Sequence, residues 1–402
     1  MKNGWQIKLL GDACEVVNGG TPKTGTREYW NGSHLWITPA EMGKRLSPYV
    51  DETERKITDS GLRDSSARML PPNSVILSSR APIGHLVINT KPMSTNQGCK
   101  GLIPEKRLDS KFLYYYLTSI VDLLNALGTG ATFKELSGSK LKEVSIPVPP
   151  LPEQQRIVGI LDEAFAGIAI AKANTEKNLQ NARALFESHL QAVFSQRGEG
   201  WVETSLGELC TIKHGFAFKG EFFTNEGNYV VLTPGNFYES GGYRYRGEKQ
   251  KYYCGEIPRD YILEKGDMLV AMTEQAAGLL GSPIIVPESD KFLHNQRLGL
   301  VIKKPGIPWT NEFFFHIFNT RHVRKEIYNS ASGVKVRHTS PTKIGAVVVA
   351  FPTSISQQRK IVSTLTELEE ETQRLESIYQ QKLAALDALQ KSLLHQAFSG
   401  QL

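Results

Sequence analysis

The stretch Asn18-Gly19-Gly20-Thr21-Pro22-Lys23-Thr24-Gly25 has the glycines, hydroxyls and lysine with which a loop could cradle a phosphate. It lacks the G-x-x-x-x-G-K-[ST] spacing of a nucleotide loop, and no strongly apolar strand leads into it. A solvent turn, or a loop reaching a nucleic-acid phosphate, fits better. No G-x-G-x-x-G follows a strand pattern, and no Asn-Pro-Pro-Tyr/Phe tetrapeptide or carboxylate cluster with a neighbouring lysine is found. The nine histidines are dispersed without metal-ligand spacing, so His85, His214 and His338 read as ordinary polar residues and no metal site is expected. The expectation is a chain that catalyses nothing by itself.

What remains suits recognition. Basic, aromatic and amide side chains interleave over 23–30, where Lys23, Thr24, Arg27 and Tyr29 stand out, and over 243–253, where Tyr243, Arg244, Arg246 and Lys249 precede Lys251. Arg and Lys neutralise phosphates, Arg forks onto guanine, and Asn or Gln forks onto adenine. The second run reads equally well as a β-hairpin with one exposed face. Arg80 corresponds to Glu274, followed by Gln275, on what looks like one scaffold that keeps Gly84 and Gly278. Such an exchange is what reading different bases requires, neutral drift being the alternative. Gly130-Ala131-Thr132-Phe133-Lys134 likewise corresponds to Gly333-Val334-Lys335-Val336-Arg337, a small turn with a cation suited to clamping a phosphate. Asn96 and Lys219 complete the candidate DNA-binding residues.

These residues recur because the chain repeats its plan. Gly4-Trp5 matches Gly200-Trp201 at an offset of 196, and Asn96-Gln97 matches Asn295-Gln296 at 199. Lys140 matches Lys343 at 203, while Ile157-Val158 and Phe194-Ser195 match Ile361-Val362 and Phe398-Ser399 at 204. The order of landmarks is kept, so the unit is about half the chain. Each unit opens with ~150 residues rich in Gly, Pro and aromatics. They predict short strands such as 74–77 and 282–286, and helices near 112–117 and 312–318. A Pro-rich border then leads into about 40 residues of helical pattern, with Pro152 in the first turn and Ser356 as the second N-cap.

Both helical segments carry heptads. Ile157, Leu161, Ile168 and Leu185 in the first, and Leu365, Leu368, Leu375, Leu386 and Leu393 in the second, fall on alternating 4- and 3-residue steps. A 3.5-residue period of this length predicts a helix-pairing seam, with each helix reaching roughly 60 Å. Because a globular domain separates the helices in sequence, the economical pairing is antiparallel. The reading is an α+β chain with an internal two-fold repeat: domains at 1–151 and 199–352, helices at 152–198 and 353–402.

Composition agrees. A chain of 402 residues, 40% hydrophobic and 22% charged, has room for two or more domains with real cores, which excludes wholesale disorder. The net charge of +6 is uneven: 19 basic against 14 acidic residues in 1–150, and 18 against 15 in 200–352. The two helical segments carry 5 against 6 each, an arrangement compatible with two nucleic-acid-facing domains on neutral supports. No apolar run approaches ~18 residues, so no membrane span is expected, and the Met1–Trp5 opening shows no secretory signal. The four scattered cysteines suggest neither disulfides nor zinc, and a reducing cytoplasm as the location.

The junction Pro149-Pro150-Leu151-Pro152-Glu153-Gln154-Gln155-Arg156-Ile157-Val158 echoes in Ser356-Gln357-Gln358-Arg359-Lys360-Ile361-Val362. With the openings at Trp5–Gly11 and Trp201–Gly207 and the ending Gln396–Gly400, the chain resembles the specificity subunit of type I restriction–modification systems over its full length. The second junction departs from the family pattern, with Thr353-Ser354-Ile355 in place of a Pro-rich stretch. The resemblance implies two target recognition domains, each reading one half of a split, asymmetric sequence on double-stranded DNA. An antiparallel coiled coil would set the gap and dock methyltransferase subunits. It implies a non-catalytic subunit with no cofactor of its own. S-adenosylmethionine, ATP and Mg would belong to the methyltransferase and restriction–translocase partners. The alternatives are a single-chain enzyme, for which no cofactor motif is present, and a coiled-coil scaffold with only non-specific DNA binding.

Overall fold

A computed structural model of the chain describes residues 4–130, 134–275 and 277–402. In each half, the strand that opens the globular part pairs antiparallel with the strand that closes it: Gln6–Leu9 with Ser145–Val148, and Trp201–Ser205 with Val348–Pro352. Each half is therefore fastened shut just before its long helix begins. Two compact units result, one formed by residues 1–176 with 380–402, the other by 177–379.

In the first unit, Cys14–Asn18, Cys99–Pro104, Val75–Ser79, Ile83–Asn89 and Tyr49–Val50 lie side by side in that order. Val75–Ser79 is buried throughout, as a central strand with both faces covered must be. A smaller sheet sets Trp30–Ile37 between Arg55–Ile57 and Met93–Thr95, the latter parallel to it. The second unit repeats the plan. Its main sheet runs Cys210–His214, Leu298–Lys303, Met268–Ala271 and Pro283–Ile285, and Tyr229–Leu232 runs parallel to Phe292–His294 in its other sheet. The helices expected near 112–117 and 312–318 are Ser110–Ser119 and Asn311–Asn319. The 243–253 run is not a hairpin: a 3-10 turn at Gly247–Lys249 interrupts it, and its one strand is Tyr252–Tyr253.

The long helices are Leu151–Ser195 and Ile355–Ser399, each of 45 residues. Pro152 sits in the first turn, where its missing N–H costs no bond. The second helix is capped by Ser354, whose hydroxyl accepts from Gln357 N at 3.4 Å; Ser356, the expected cap, lies inside the helix. The helices run antiparallel in both units. In the first, Lys172 meets Asp387 at 2.5 Å and Arg156 meets the Leu402 carbonyl at 2.9 Å; in the second, Arg183 meets Glu376 at 3.1 Å. Among the described residues, no helix is long and apolar enough to cross a membrane.

Ile157, Leu161, Ile168 and Leu365 are buried, and Leu368, Leu375, Leu386 and Leu393 half-buried. Leu185 departs from the expected seam, 54% exposed, while Phe186 beside it is half-buried. The burial pattern 161, 168, 175, 182 keeps a strict seven-residue step, but the second stripe has moved one position by 179 and 186. A 3.6-residue helix drifts against a 3.5-residue repeat in that sense.

Candidate nucleic-acid interface

One side chain ties each globular part to its helix. Gln154 is fully buried; its Oε1 accepts from Asp109 N at 2.8 Å, and its Nε2 donates to the carbonyls of Arg107 and Pro149, both at 2.8 Å. Gln358 repeats this with Thr310 N at 3.1 Å and the carbonyls of Pro308 and Pro352 at 2.7 and 2.9 Å. The glutamine of the sequence junction thus satisfies backbone groups that would otherwise be buried unpaired. Sequence alone marked its position but not this task.

In the first unit, the Gly19–Thr26 loop is held from beneath. The Trp36 indole donates to Gly20 O at 2.9 Å, that of Trp30 to Lys23 O at 3.3 Å, and Asn96 Nδ2 to Thr21 Oγ1 at 2.9 Å. Lys23, Thr24 and Arg27 are exposed on it, whereas Tyr29 is half-buried. Arg55, not among the expected residues, stacks 3.7 Å from the centroid of Trp30. Its signal lay in pairing a cation with an indole across strands, which the sequence does not display. Asn96 is half-buried, with both atoms of its amide bonded within the domain. Its Oδ1 accepts from Gly98 N at 2.8 Å while its amide holds Thr21, and Gln97 beside it is the exposed member of the pair. Asn295 makes the same turn, accepting from Arg297 N at 3.0 Å, which leaves Gln296 and Arg297 exposed. Arg80 is half-buried, 3.5 Å from Glu135, whose other oxygen lies 3.9 Å from the buried Lys100. Burial lowers the Lys100 pKa and Glu135 counters it. Lys134 is exposed; the preceding 131–133 lie outside the described residues.

In the second unit four of the candidates, Arg244, Arg246, Glu274 and Gln275, line one cleft. A cleft of about 1370 Å³ is lined by Arg183, Arg244, Arg246, Lys251 and Arg297, against two carboxylates, Glu239 and Glu274. Gln275, Gln296 and Tyr238 share its wall. Five cations against two acids make the cleft basic, and the amides could fork onto base edges. The backbone that carries Arg244 and Arg246 is held by two buried amides absent from the expected set. Asn236 Nδ2 donates to Gln250 Oε1 at 3.2 Å and to the Arg244 carbonyl at 3.3 Å, and the Gln250 oxygen also accepts from Arg246 N at 3.2 Å.

Other candidates are placed elsewhere. Tyr243 is half-buried at the margin of a core cluster, where it packs edge-on against Phe292 at 5.2 Å and burial raises its pKa. Glu274 is 3% exposed with one oxygen committed to backbone amides, and does not offer that oxygen to a cytosine. Arg337 stacks on Tyr328 at 3.9 Å and donates to its carbonyl at 2.7 Å. Lys219, Lys249 and Lys335 are exposed but do not line the cleft.

The chain is similar to known proteins in sequence and in fold. The family described as "Type I restriction modification DNA specificity domain" matches residues 2–181 and again 198–384. Over 227 residues the chain is 40% identical to the type I restriction enzyme MjaIX specificity subunit of Methanocaldococcus jannaschii, a match covering 52% of each chain. It is 37% identical over 163 residues to the EcoR124I/EcoR124II specificity subunit of Escherichia coli, covering 39% of this chain and 40% of that one. The chain thus spans about half, or less, of the length of these curated relatives in those matches. The StySPI specificity subunit of Salmonella potsdam is 24% identical over 430 residues, covering 100% of this chain and 90% of the relative. The same fold occurs in a solved chain of a type I R-M system, with a TM-score of 0.79 at 17% identity, covering 100% of this chain and 99% of that chain. It occurs also in the HsdS subunit from Thermoanaerobacter tengcongensis, with a TM-score of 0.64 at 16% identity, covering 100% and 98%. With two matched domains that account for most of its length, the chain belongs to the type I restriction–modification DNA specificity family.

Proposed function

We propose that this chain is the sequence-specific DNA-recognition subunit of a type I restriction–modification complex, each globular domain reading one half of a split, asymmetric target. The observation that carries the reading is the basic cleft of the second domain, where arginines and amides from separate loops face one concave wall. Phosphate neutralisation and base-edge bonding need those two classes of side chain together. In the same reading the antiparallel helices set the gap between half-sites and offer the surface on which methyltransferase subunits dock. The methyltransferase and restriction–translocase partners supply S-adenosylmethionine, ATP and Mg chemistry, and the complex works in the cytoplasm. Tethering two modest sites raises affinity and selectivity without either being tight alone.

The test is a genome-wide map of methylated adenines in cells carrying this chain and its methyltransferase partner. Two short defined halves around a fixed gap are expected, and exchanging residues 1–150 for those of a relative should change one half only. A continuous motif, or movement of both halves, would count against the proposal.

A further inference from the structure

Glu274 sits where its carboxylate can organise the loop that follows it. Its Oε2 accepts the N–H groups of Gly278, Leu279 and Leu280 at 3.1, 3.0 and 2.9 Å, three successive amides converging on one oxygen as they do on a bound anion. From the other side the Arg324 guanidinium donates to the Gly278 carbonyl. Gly278 takes φ +114, a conformation suited to glycine, and a Cβ there would lie 3.0 Å from Glu239 Oε2. The loop end is therefore clamped at its amides and at its carbonyl. Gln275, next to Glu274, is exposed and lines the basic cleft with Arg244, Arg246, Gln296 and Arg297.

The first domain has the same frame with different contents. Gly84 also takes φ +114, but Arg80, at the position of Glu274, pairs with Glu135, and the exposed residues that follow are Ala81 and Pro82. A shared backbone frame that presents an apolar tip in one domain and an amide in the other is what two different half-sites require.

Resting on the reading that the second domain binds DNA, we propose that Gln275 is a base-contacting side chain of that domain, its amide suited to adenine, and that Glu274 is the positioning residue that holds it. The test maps methylated motifs in cells expressing the full chain with its methyltransferase partner, as wild type, Gln275→Ala, Glu274→Ala and Glu274→Gln. Gln275→Ala and Glu274→Ala should each lower discrimination at a base pair of one half-site by about tenfold and leave the other half-site intact. Glu274→Gln, whose amide oxygen can accept the same N–H groups, should stay within about threefold of wild type. Gln275→Ala alters only an exposed side chain, so it decides the matter even where Glu274→Ala fails to accumulate. An unchanged half-site in Gln275→Ala overturns the assignment of Gln275. Equal losses for Glu274→Ala and Glu274→Gln, or relaxation of both half-sites, overturn the positioning role. A wild type without a split motif is a separate result: it overturns the DNA-reading itself.

Discussion

Gln154 and Gln358 show how much one residue type can carry when it is buried with every bond made. Truncating either to alanine removes the partner of two carbonyls and one N–H, one carbonyl of each set buried and the other two groups part-buried. At ~1–3 kcal/mol per orphaned group, Gln154→Ala should cost about 3 kcal/mol or more, read as a lowered urea midpoint. The histidines of the second unit make a different prediction. Burial pushes His294 and His316 down to about 4, and His294, whose Nε2 donates to Leu298 O at 2.9 Å, keeps Nδ1 buried without a partner. The unfolded chain takes up these protons near pH 6.5, the folded chain only near pH 4. Stability present above pH 6.5 is therefore lost as pH falls from about 6.5 to about 4, by on the order of 3 kcal/mol per histidine. His316→Leu should remove about half of that loss, measured by urea unfolding at pH 7 and pH 4.5.

At the scale of elements, the helix pair is held by its buried stripe more than by its ion pairs. Arg183 and Glu376 are partly exposed, and such pairs contribute at most ~1 kcal/mol. Leu161 and Leu365 are fully buried, so Leu161→Ala or Leu365→Ala should cost ~2–5 kcal/mol. Leu185→Ala should fall within about 0.5 kcal/mol, because that side chain stands in solvent. Circular dichroism melts of the three variants separate the two classes. The heptad pattern was legible because it is local and repeats; the drift at 185–186 was not, since which of two adjacent residues turns inward depends on what the helix faces.

At the scale of the molecule, each unit is closed by the far end of a helix. Phe398 packs edge-on against Phe112 and Tyr116, both at 5.2 Å, with Leu394 and Ala397 buried beside it. Phe194 packs against Phe313 at 5.5 Å and Trp201 at 6.1 Å. Phe398→Ala should therefore weaken hydrogen-exchange protection in 4–150, and Phe194→Ala in 201–352, each by ~2–3 kcal/mol. Loss in both regions from either variant would contradict this closure.

The sequence by itself determined the two-fold plan, the pair of long helices, the presence of strands near 74–77 and 282–286, found at Val75–Ser79 and Pro283–Ile285, and the basic character of the two globular parts. Those features rest on apolar periodicity, turn residues and charge, which neighbouring residues settle among themselves. Only the tertiary structure decided which polar side chains face outward. Asn96 is committed to Thr21, 75 residues away, Tyr243 to Phe292, and Gln154 to the Asp109 backbone. Glu274 had the composition of a base reader until its own loop folded back onto the carboxylate. A buried polar group must find a partner, and where that partner lies is set by chain closure, which no local pattern encodes.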